Sequence, residues 1–243
     1  MIDRLQRQRF ELKYFISEEK AQQIRFYVES FLKCDEFGIT QPDRSYLVHS
    51  IYLDSPNMRT YMDTINGNRN RFKLRIRYYD HEDSPVFLEI KRRYNKVIRK
   101  SRARIHRHAI PELLGGQIPA PVHLVHESRE QMDALTNFCT LLNRLNARPT
   151  VHVSYFREAY EQEGSNSVRV TFDRQVKYQR VTSPELFRGT PDSRSVFGKK
   201  VIFEIKFTDT FPHWLKELTQ FFHLQQTSAA KYVDSIVRMR EQK

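Results

Sequence analysis

Four short segments of the chain alternate a charged residue with an apolar one. They lie at 9–13, 73–77, 89–91 and 204–206, and Phe, Leu or Ile stands between the charges. A period of two is typical of a β-strand, because successive side chains point to opposite faces. Each segment therefore predicts a strand with one apolar face and one face that carries mainly Lys and Arg with a few carboxylates.

The same pattern predicts about eight strands along the chain. They are expected at 8–15, 46–53, 71–79, 86–93, 97–105, 151–159, 168–176 and 201–207. The three strands between 71 and 105 follow at hairpin spacing, which predicts an antiparallel meander. Eight antiparallel strands fit a closed barrel or tunnel. The predicted fold class is therefore α+β, a closed antiparallel β-tunnel with helices packed outside.

Helices are predicted where apolar residues recur at helical spacing. The first begins after Ser17, a good capping residue, and its apolar stripe is Ala21, Ile24, Val28, Phe31 and Leu32. Further helices are expected at 57–65, 128–145, 214–224 and 228–240. The stretch 111–121 has three prolines and a glycine pair, which is typical of a linker.

Within each predicted strand, charged residues occupy alternate positions and therefore share one face. They are Arg9, Glu11, Lys13, Lys73, Arg75, Arg77, Glu89, Lys91, Lys100, Arg102, Arg157, Arg169, Glu204 and Lys206. Such a face is either the solvated side of an ordinary sheet or the lining of a bore. The recurrence of Lys and Arg favours a bore, which must hold an anion and water because like charges repel strongly at low dielectric.

Composition supports an anionic partner. The 243 residues carry a formal net charge of +12, which is compatible with a nucleotide, polyphosphate, nucleic acid or a membrane surface. One domain over 1–243 is expected. Cys34 and Cys139 form no CxxC motif, so neither a disulfide framework nor a thiolate zinc site is indicated.

A cytoplasmic location is expected. No apolar run approaches the roughly 20 residues that span a bilayer, and the N-terminus lacks the apolar core of a signal peptide. Any association with a membrane would then come through a partner protein.

Nine motifs, taken in order, resemble a known family. They are 9–14 (RFELKY), 50–54 (SIYLD), 73–78 (KLRIRY), 88–91 (LEIK), 100–102 (KSR), 155–157 (YFR), 168–173 (VRVTFD), 203–206 (FEIK) and 228–232 (SAAKY). Together they resemble the catalytic domain of the vacuolar transporter chaperone (VTC) polyphosphate polymerases. That family belongs to the CYTH-like triphosphate tunnel metalloenzymes, whose tunnel is lined by basic residues and a few metal-binding glutamates.

The resemblance implies a metal-dependent polyphosphate polymerase. A nucleoside triphosphate, typically ATP, would enter with Mn²⁺ or Mg²⁺ and pass its terminal phosphoryl group to a growing polyphosphate. The residues it implies as catalytic are Arg75, Arg77, Lys91, Arg157 and Arg169. Those implied to bind phosphate are Lys13, Lys73, Lys100, Arg102, Lys206 and Lys231, and the metal ligands are Glu204 and Glu11. Arg9 stands where tunnel hydrolases have a first glutamate, which weakens the case for Glu11.

Phosphoryl transfer needs these residue types in any case. It depends on positioning and on stabilising charge on phosphate oxygens. The seven glycines are scattered, so side chains and not a glycine-rich loop must bind the phosphates. Two alternatives stay open, a tunnel-type nucleoside or inorganic triphosphatase and a noncatalytic polyphosphate-binding domain. Nucleic acid is not the expected partner.

Overall fold

The computed structural model describes residues 9–80, 84–95, 97–165, 167–187, 189 and 192–241. The strands in these ranges are β1 (Arg9–Ile16), β2 (Lys33–Cys34), β3 (Ser45–Asp54), β4 (Asn70–Tyr79), β5 (Val86–Tyr94), β6 (Val97–Ile105), β7 (Arg148–Glu161), β8 (Val168–Arg180), β9 (Arg194–Ser195) and β10 (Val201–Thr208). The α-helices are α1 (Glu18–Glu29), α2 (Glu36–Ile39), α3 (Arg59–Ile65), α4 (Ala109–Leu114), α5 (Arg129–Leu145), α6 (His213–Phe221) and α7 (Lys231–Glu241). Gln8, the predicted start of the first strand, lies outside the described residues.

The ten strands form one sheet, and the chain is α+β as predicted. The order is β1-β10-β8-β7-β3-β4-β5-β6, with the two-residue strands β2 and β9 added to β7 and β8. Each pairing with a described register is antiparallel. The strands β1 and β6 stand at the two ends of this order, and no hydrogen-bonded pairing between them occurs in the described part of the chain. Hydrogen bonds therefore do not close the sheet.

The chain divides into two compact units. The first contains the described residues of Met1–Tyr46, Tyr155–Val176 and Phe197–Ala230. Its core lies on the apolar side of β1, β8 and β10, where α1 and α6 contribute buried residues such as Ile24 and Leu215. Ser17 caps α1 as predicted, since its Oγ accepts a hydrogen bond from the backbone N–H of Lys20 at 3.2 Å.

The predicted stripe of α1 is wrong at one position. Ala21, Ile24 and Val28 are buried, but Phe31 follows the end of the helix and is 47% exposed. Its ring stacks on Trp214, with centroids 4.6 Å apart. The α-helical period no longer applies beyond Glu29, so the side chain does not continue the buried stripe.

The second unit contains the described residues of Leu47–Ser154, Lys177–Val196 and Lys231–Lys243. Alternate residues of β4 and β5, among them Leu74, Ile76, Leu88 and Ile90, pack in one core with Phe138 and other residues of α5. The predicted division of these strands into an apolar and a charged face is confirmed. Their apolar positions are buried, and their charged positions share the other face.

The predicted linker at 111–121 is wrong in its first part. Residues 109–114 form α4, and Ala109, Ile110 and Leu113 are buried. Pro111 lies in the first turn, where the missing N–H is not required for a helical hydrogen bond. The apolar residues around it therefore outweigh the proline as a local signal.

Candidate functional site

Basic side chains of the second unit form a regular array on β4, β5 and β6. The antiparallel register places Lys73, Lys91 and Lys100 in one row. The next row is Arg75, Glu89 and Arg102. This array, together with Arg77 and with Lys231 of α7, is called the second-unit cluster. It contains seven of the predicted site residues.

Glu89 lies at the centre of the second-unit cluster. Its side chain is fully buried, and four cations surround its two oxygens. Arg75 Nε donates to Oε2 at 2.5 Å and Lys100 Nζ lies 2.6 Å from Oε1. Arg77 Nε and Arg102 Nη1 are each 4.0 Å away. One carboxylate thus orients several cations and offsets part of their mutual repulsion.

The electrostatics of this cluster change two pKa values. Burial alone would raise the pKa of Glu89, but Arg75, Arg77 and Lys100 outweigh it, so that the pKa is lowered and the group stays ionised. Burial also lowers the pKa of Lys100 to about 7, and Arg75 and Arg77 add to this despite the attraction of Glu89. An anion bound here would favour the charged lysine.

Tyr52 and Tyr232 connect α7 to the array. The Tyr52 position on β3 is opposite Arg75, and its ring stacks on Tyr232 with centroids 4.9 Å apart. Lys73 Nζ lies 5.6 Å from the centre of the Tyr232 ring. Burial would raise the pKa of Tyr52, but Arg75 and Arg77 outweigh burial and lower it.

The hydroxyl group of Tyr232 donates to Asp54 Oδ2 at 2.5 Å. Asp54 also accepts from the backbone N–H groups of Thr60 and Tyr61 at the start of α3. Lys231, next to Tyr232 in the chain, is 9% exposed. The Tyr232–Asp54 hydrogen bond therefore holds the start of α7, and with it Lys231, against β3 and α3.

The first unit has a second charged array, called the first-unit cluster. The register places Glu11, Lys206 and Arg169 in one row, and Lys13, Glu204 and Thr171 in the next. Lys13 Nζ lies 3.0 Å from Glu11 Oε1 and 3.5 Å from Glu204 Oε2. Lys206 pairs with the other oxygen of Glu204. Carboxylates and lysines thus alternate between β1 and β10, and Arg169 adds a further cation beside Lys206.

The two lysines of the first-unit cluster differ in pKa. Burial lowers the pKa of Lys13, but Glu204 and Glu11 outweigh burial and the pKa is raised. Burial lowers the pKa of Lys206 to about 8, because the attraction of Glu204 is opposed by the charge of Arg157. Lys206 is therefore the lysine whose charge responds more to a bound ligand.

The two arginines predicted in this unit are both held by carboxylates. Arg157 forms a bidentate pair with buried Asp173, with two N–O distances of 2.7 Å. Arg169 Nη2 donates to Asp35 Oδ2 at 2.7 Å, and its Nη1 pairs with Glu161. Bidentate pairing fixes the plane of a guanidinium group. The remaining donors of both arginines are thus presented in defined directions.

Glu11 and Glu204 are the residues that could hold a divalent metal. Their carboxylates converge on the Lys13 ammonium group. No set of three or more His, Cys, Asp or Glu side chains is placed to bind a metal in the described ranges. Mg²⁺ is commonly bound through one or two carboxylates plus substrate phosphates and water. The donor set is therefore compatible with a metal that enters with its substrate.

Sequence reasoning placed Glu89 and Asp173 in the motifs but assigned them no role. Their alternation with basic residues is visible in the sequence, whereas their ion pairs depend on cross-strand neighbours. Asp35 precedes α2 in a segment without strand periodicity, and its contact with Arg169 spans 134 positions. Only the fold brings Asp35 to Arg169.

Comparison with known proteins identifies the family. The VTC domain model matches residues 8–240. A candidate adenylyl cyclase of Hippeastrum with a dominant triphosphatase activity is 14% identical, with a TM-score of 0.52 over 96% of each chain. A candidate adenylate cyclase of Bacillus halodurans is 12% identical, with a TM-score of 0.49 over 91% of this chain and 94% of that one. No curated protein matches. Because the domain model spans nearly all residues, the chain belongs to the VTC domain family.

Proposed function

We propose that this chain is a metal-dependent polyphosphate polymerase that transfers the terminal phosphoryl group of ATP to a growing polyphosphate. The observation that carries the proposal is membership of the VTC domain family over residues 8–240. In the proposed enzyme the antiparallel strands form a tunnel in the cytoplasm, and the basic clusters line it. Membership of the family, whose members the nine sequence motifs resemble, supports the proposed tunnel.

The charge arrangement supports binding of a polyanion at each cluster. In the second-unit cluster, Arg75, Arg77, Lys100 and Arg102 all lie within 4.0 Å of the one carboxylate of Glu89, so that four cations share one negative charge. Arginine forks and lysine ammonium groups are the side chains that best bind phosphate oxygens. Arg75, Arg77 and Lys91 are assigned to the transferring phosphates, and Lys73, Lys100, Arg102 and Lys231 to the rest of the chain.

The first-unit cluster completes the proposed set. Arg157 and Arg169 are assigned to catalysis, and Lys13 and Lys206 to phosphate binding. Glu204 and Glu11 would hold Mg²⁺ or Mn²⁺, which would act as a Lewis acid and neutralise charge on the triphosphate. Lys13 lies between the two carboxylates, and we expect it to turn to phosphate when the metal is bound.

The reaction conserves every phosphoryl group. The bond from the γ-phosphorus to the oxygen that bridges it to the β-phosphate breaks, and ADP leaves. A terminal oxygen of the polyphosphate forms a new bond to the γ-phosphorus. Charge builds on the oxygens around phosphorus in the transition state, and the oriented guanidinium groups stabilise it.

The decisive experiment is incubation with ATP and Mn²⁺ with three products followed together: ADP, free phosphate and long-chain polyphosphate. A polymerase forms ADP and chain-bound phosphate in equal amounts. The Arg75→Ala/Arg77→Ala variant should lose at least about a hundredfold in rate, as expected when the groups that stabilise the transition state are removed. The matched control is Arg129→Ala/Arg144→Ala, which removes two exposed charges of α5 and should keep full activity.

The alternative functions predict different products. A triphosphatase, the activity described for the Hippeastrum protein, would release free phosphate equal to ADP and no chain. A noncatalytic binder would retain polyphosphate in a salt-dependent way without forming ADP. Either result contradicts the polymerase, and full activity in the Arg75/Arg77 variant contradicts the roles of these two residues.

A further inference from the structure

The second unit contains a cavity of about 600 Å³ that the proposed reaction does not use. It is lined by the end of β3 with the turn after it, the start of β7, the end of β8, residues 192 and 194 around β9, and the last two turns of α7. Its lining includes no member of the second-unit cluster. The cavity is therefore a separate feature of this unit.

Four arginines from four elements line this cavity. They are Arg148 of β7, Arg180 of β8, Arg194 of β9 and Arg240 of α7. The cavity is called the arginine cavity below. Arg240 is placed by a contact with the Tyr61 ring, whose centre lies 4.6 Å from its guanidinium carbon. Arginines that converge from separate elements are held there by the fold and not by one basic stretch of sequence.

Two aspartates also line the arginine cavity, but the carboxylate of one of them, Asp54, already accepts two hydrogen bonds at each oxygen. Asp54 Oδ1 accepts from the backbone N–H groups of Ser55 and Thr60 at 2.8 and 2.9 Å. Its Oδ2 accepts from Tyr61 N–H and from the Tyr232 hydroxyl group. This carboxylate is buried and has little capacity left for a cation. Among the described lining residues, four arginines thus stand against one carboxylate with acceptor capacity left, that of Asp192, so the cavity favours an anion.

The remaining lining is largely apolar. Pro56, Met58, Pro149, Ile236 and Met239 contribute to the walls. Cavities of 300–1,000 Å³ with apolar walls and a few polar groups are the usual form of small-molecule sites. Guanidinium groups bind phosphate oxygens in bidentate geometry. We propose that the arginine cavity is a second site, independent of the polymerase assignment, for an organic phosphate such as a nucleotide.

Calorimetry with ATP in the Arg75→Ala/Arg77→Ala background tests this site, because the substitutions weaken the proposed catalytic site. We expect one saturable site for ATP. Adding Arg148→Ala/Arg180→Ala should weaken its affinity at least about tenfold, which corresponds to the loss of charge-assisted hydrogen bonds. Adding Arg129→Ala/Arg144→Ala removes equal charge from α5 and should change affinity less than about twofold. The four arginines replaced in these two pairs of substitutions are all exposed, so folding should be retained.

Two further measurements identify the class of ligand and the location of its binding site. Tripolyphosphate should bind the arginine cavity more weakly than ATP, because it has no organic part to contact the apolar wall. Hydrogen exchange in the Arg75→Ala/Arg77→Ala background should show that ATP protects amides of the last two turns of α7, which line the cavity, and adding Arg148→Ala/Arg180→Ala should abolish this protection. Equal affinity for tripolyphosphate and ATP would overturn the proposal that the ligand is an organic phosphate. Absence of saturable ATP binding, or binding that ignores Arg148 and Arg180, would overturn the site.

Discussion

Buried carboxylates hold the cations in both units. Glu89 is surrounded by four basic side chains, and Asp173 accepts two hydrogen bonds from Arg157. A buried cation without a partner costs several kcal/mol of desolvation. These carboxylates offset that cost before a ligand binds.

We predict that Glu89→Gln destabilises the chain in the absence of ligand. The substitution removes the charge that attracts Arg75 and Lys100, so the neighbouring cations repel one another. The free energy of unfolding should fall by roughly 3 kcal/mol, at the low end for a broken buried ion pair. Urea titration measures this value. Tripolyphosphate should raise the stability of the variant more than that of the unaltered chain.

The control for this prediction is Glu130→Gln in the first turn of α5, an exposed position. It should alter the free energy of unfolding by less than about 0.5 kcal/mol, as expected for a surface substitution. Equal stability of Glu89→Gln and Glu130→Gln would show that Glu89 does not organise the cations around it.

At the scale of elements, α7 contributes to both the second-unit cluster and the arginine cavity. Lys231 starts the helix and belongs to the second-unit cluster, while Arg240 near its end lines the arginine cavity. The Tyr232–Asp54 hydrogen bond fixes the start of this helix against β3 and α3. The position of α7 thus depends on one buried phenol and one buried carboxylate.

We predict that Tyr232→Phe loosens α7 without unfolding the unit. The phenyl ring keeps the stack on Tyr52, but Asp54 loses one donor. A hydrogen bond to a charged group contributes about 1.5–3 kcal/mol, so amide protection of α7 should fall by a corresponding factor of roughly 10 to 100 in hydrogen exchange. The rate of phosphoryl transfer should decrease because Lys231 is held less firmly.

Tyr94→Phe serves as the control, because Tyr94 is 63% exposed. It should leave both amide protection and activity unchanged. Unaltered exchange of α7 in Tyr232→Phe would contradict the anchoring role of the Asp54 hydrogen bond.

At the scale of the whole molecule, each unit has its own hydrophobic core and its own buried polar groups. The second unit contains a chain of hydrogen bonds from Asp80 to His49 and on to His152. The His49 Nδ1 and His152 Nε2 atoms are 3.0 Å apart, and both side chains are buried. The described residues contain no helix long and apolar enough to cross a membrane.

We predict that stability decreases below about pH 6.5, the ordinary pKa of histidine. Burial and the neighbouring His49 lower the pKa of His152 to about 3, and burial also lowers the pKa of His49. The unfolded chain therefore binds more protons than the folded chain between these values, and acid favours unfolding. Urea titrations between about pH 6 and pH 5 should show a loss near 1.4 kcal/mol per pH unit from His152.

The matched variant for this prediction is His152→Gln, which removes the titrating ring. Its slope of stability against pH should be smaller than that of the unaltered chain by about one proton. The slope is the readout, so a lower absolute stability of the variant does not affect the comparison. Equal slopes would show that His152 is charged in the folded state.

Most elements were predictable because their patterns are local. The alternation in β4, β5 and β6 predicted both the strands and the face that packs in the core, and the capping residues Ser17 and Ser128 marked the starts of α1 and α5. The helix α4 was missed, because its burial depends on contacts with distant residues. The strands β2 and β9 have two residues each, too few to show a period. The prediction of a single domain over 1–243 stays a prediction.

The sequence by itself determined which side chains share the charged side of each strand, since a period of two is a property of the extended backbone. It also determined the family through nine ordered motifs. Only the tertiary structure decided which charges meet: Glu89 with four cations, Arg169 with Asp35, and four arginines around one cavity. These contacts join residues far apart in the chain, so the register and packing of strands and helices set them, and no local pattern records them.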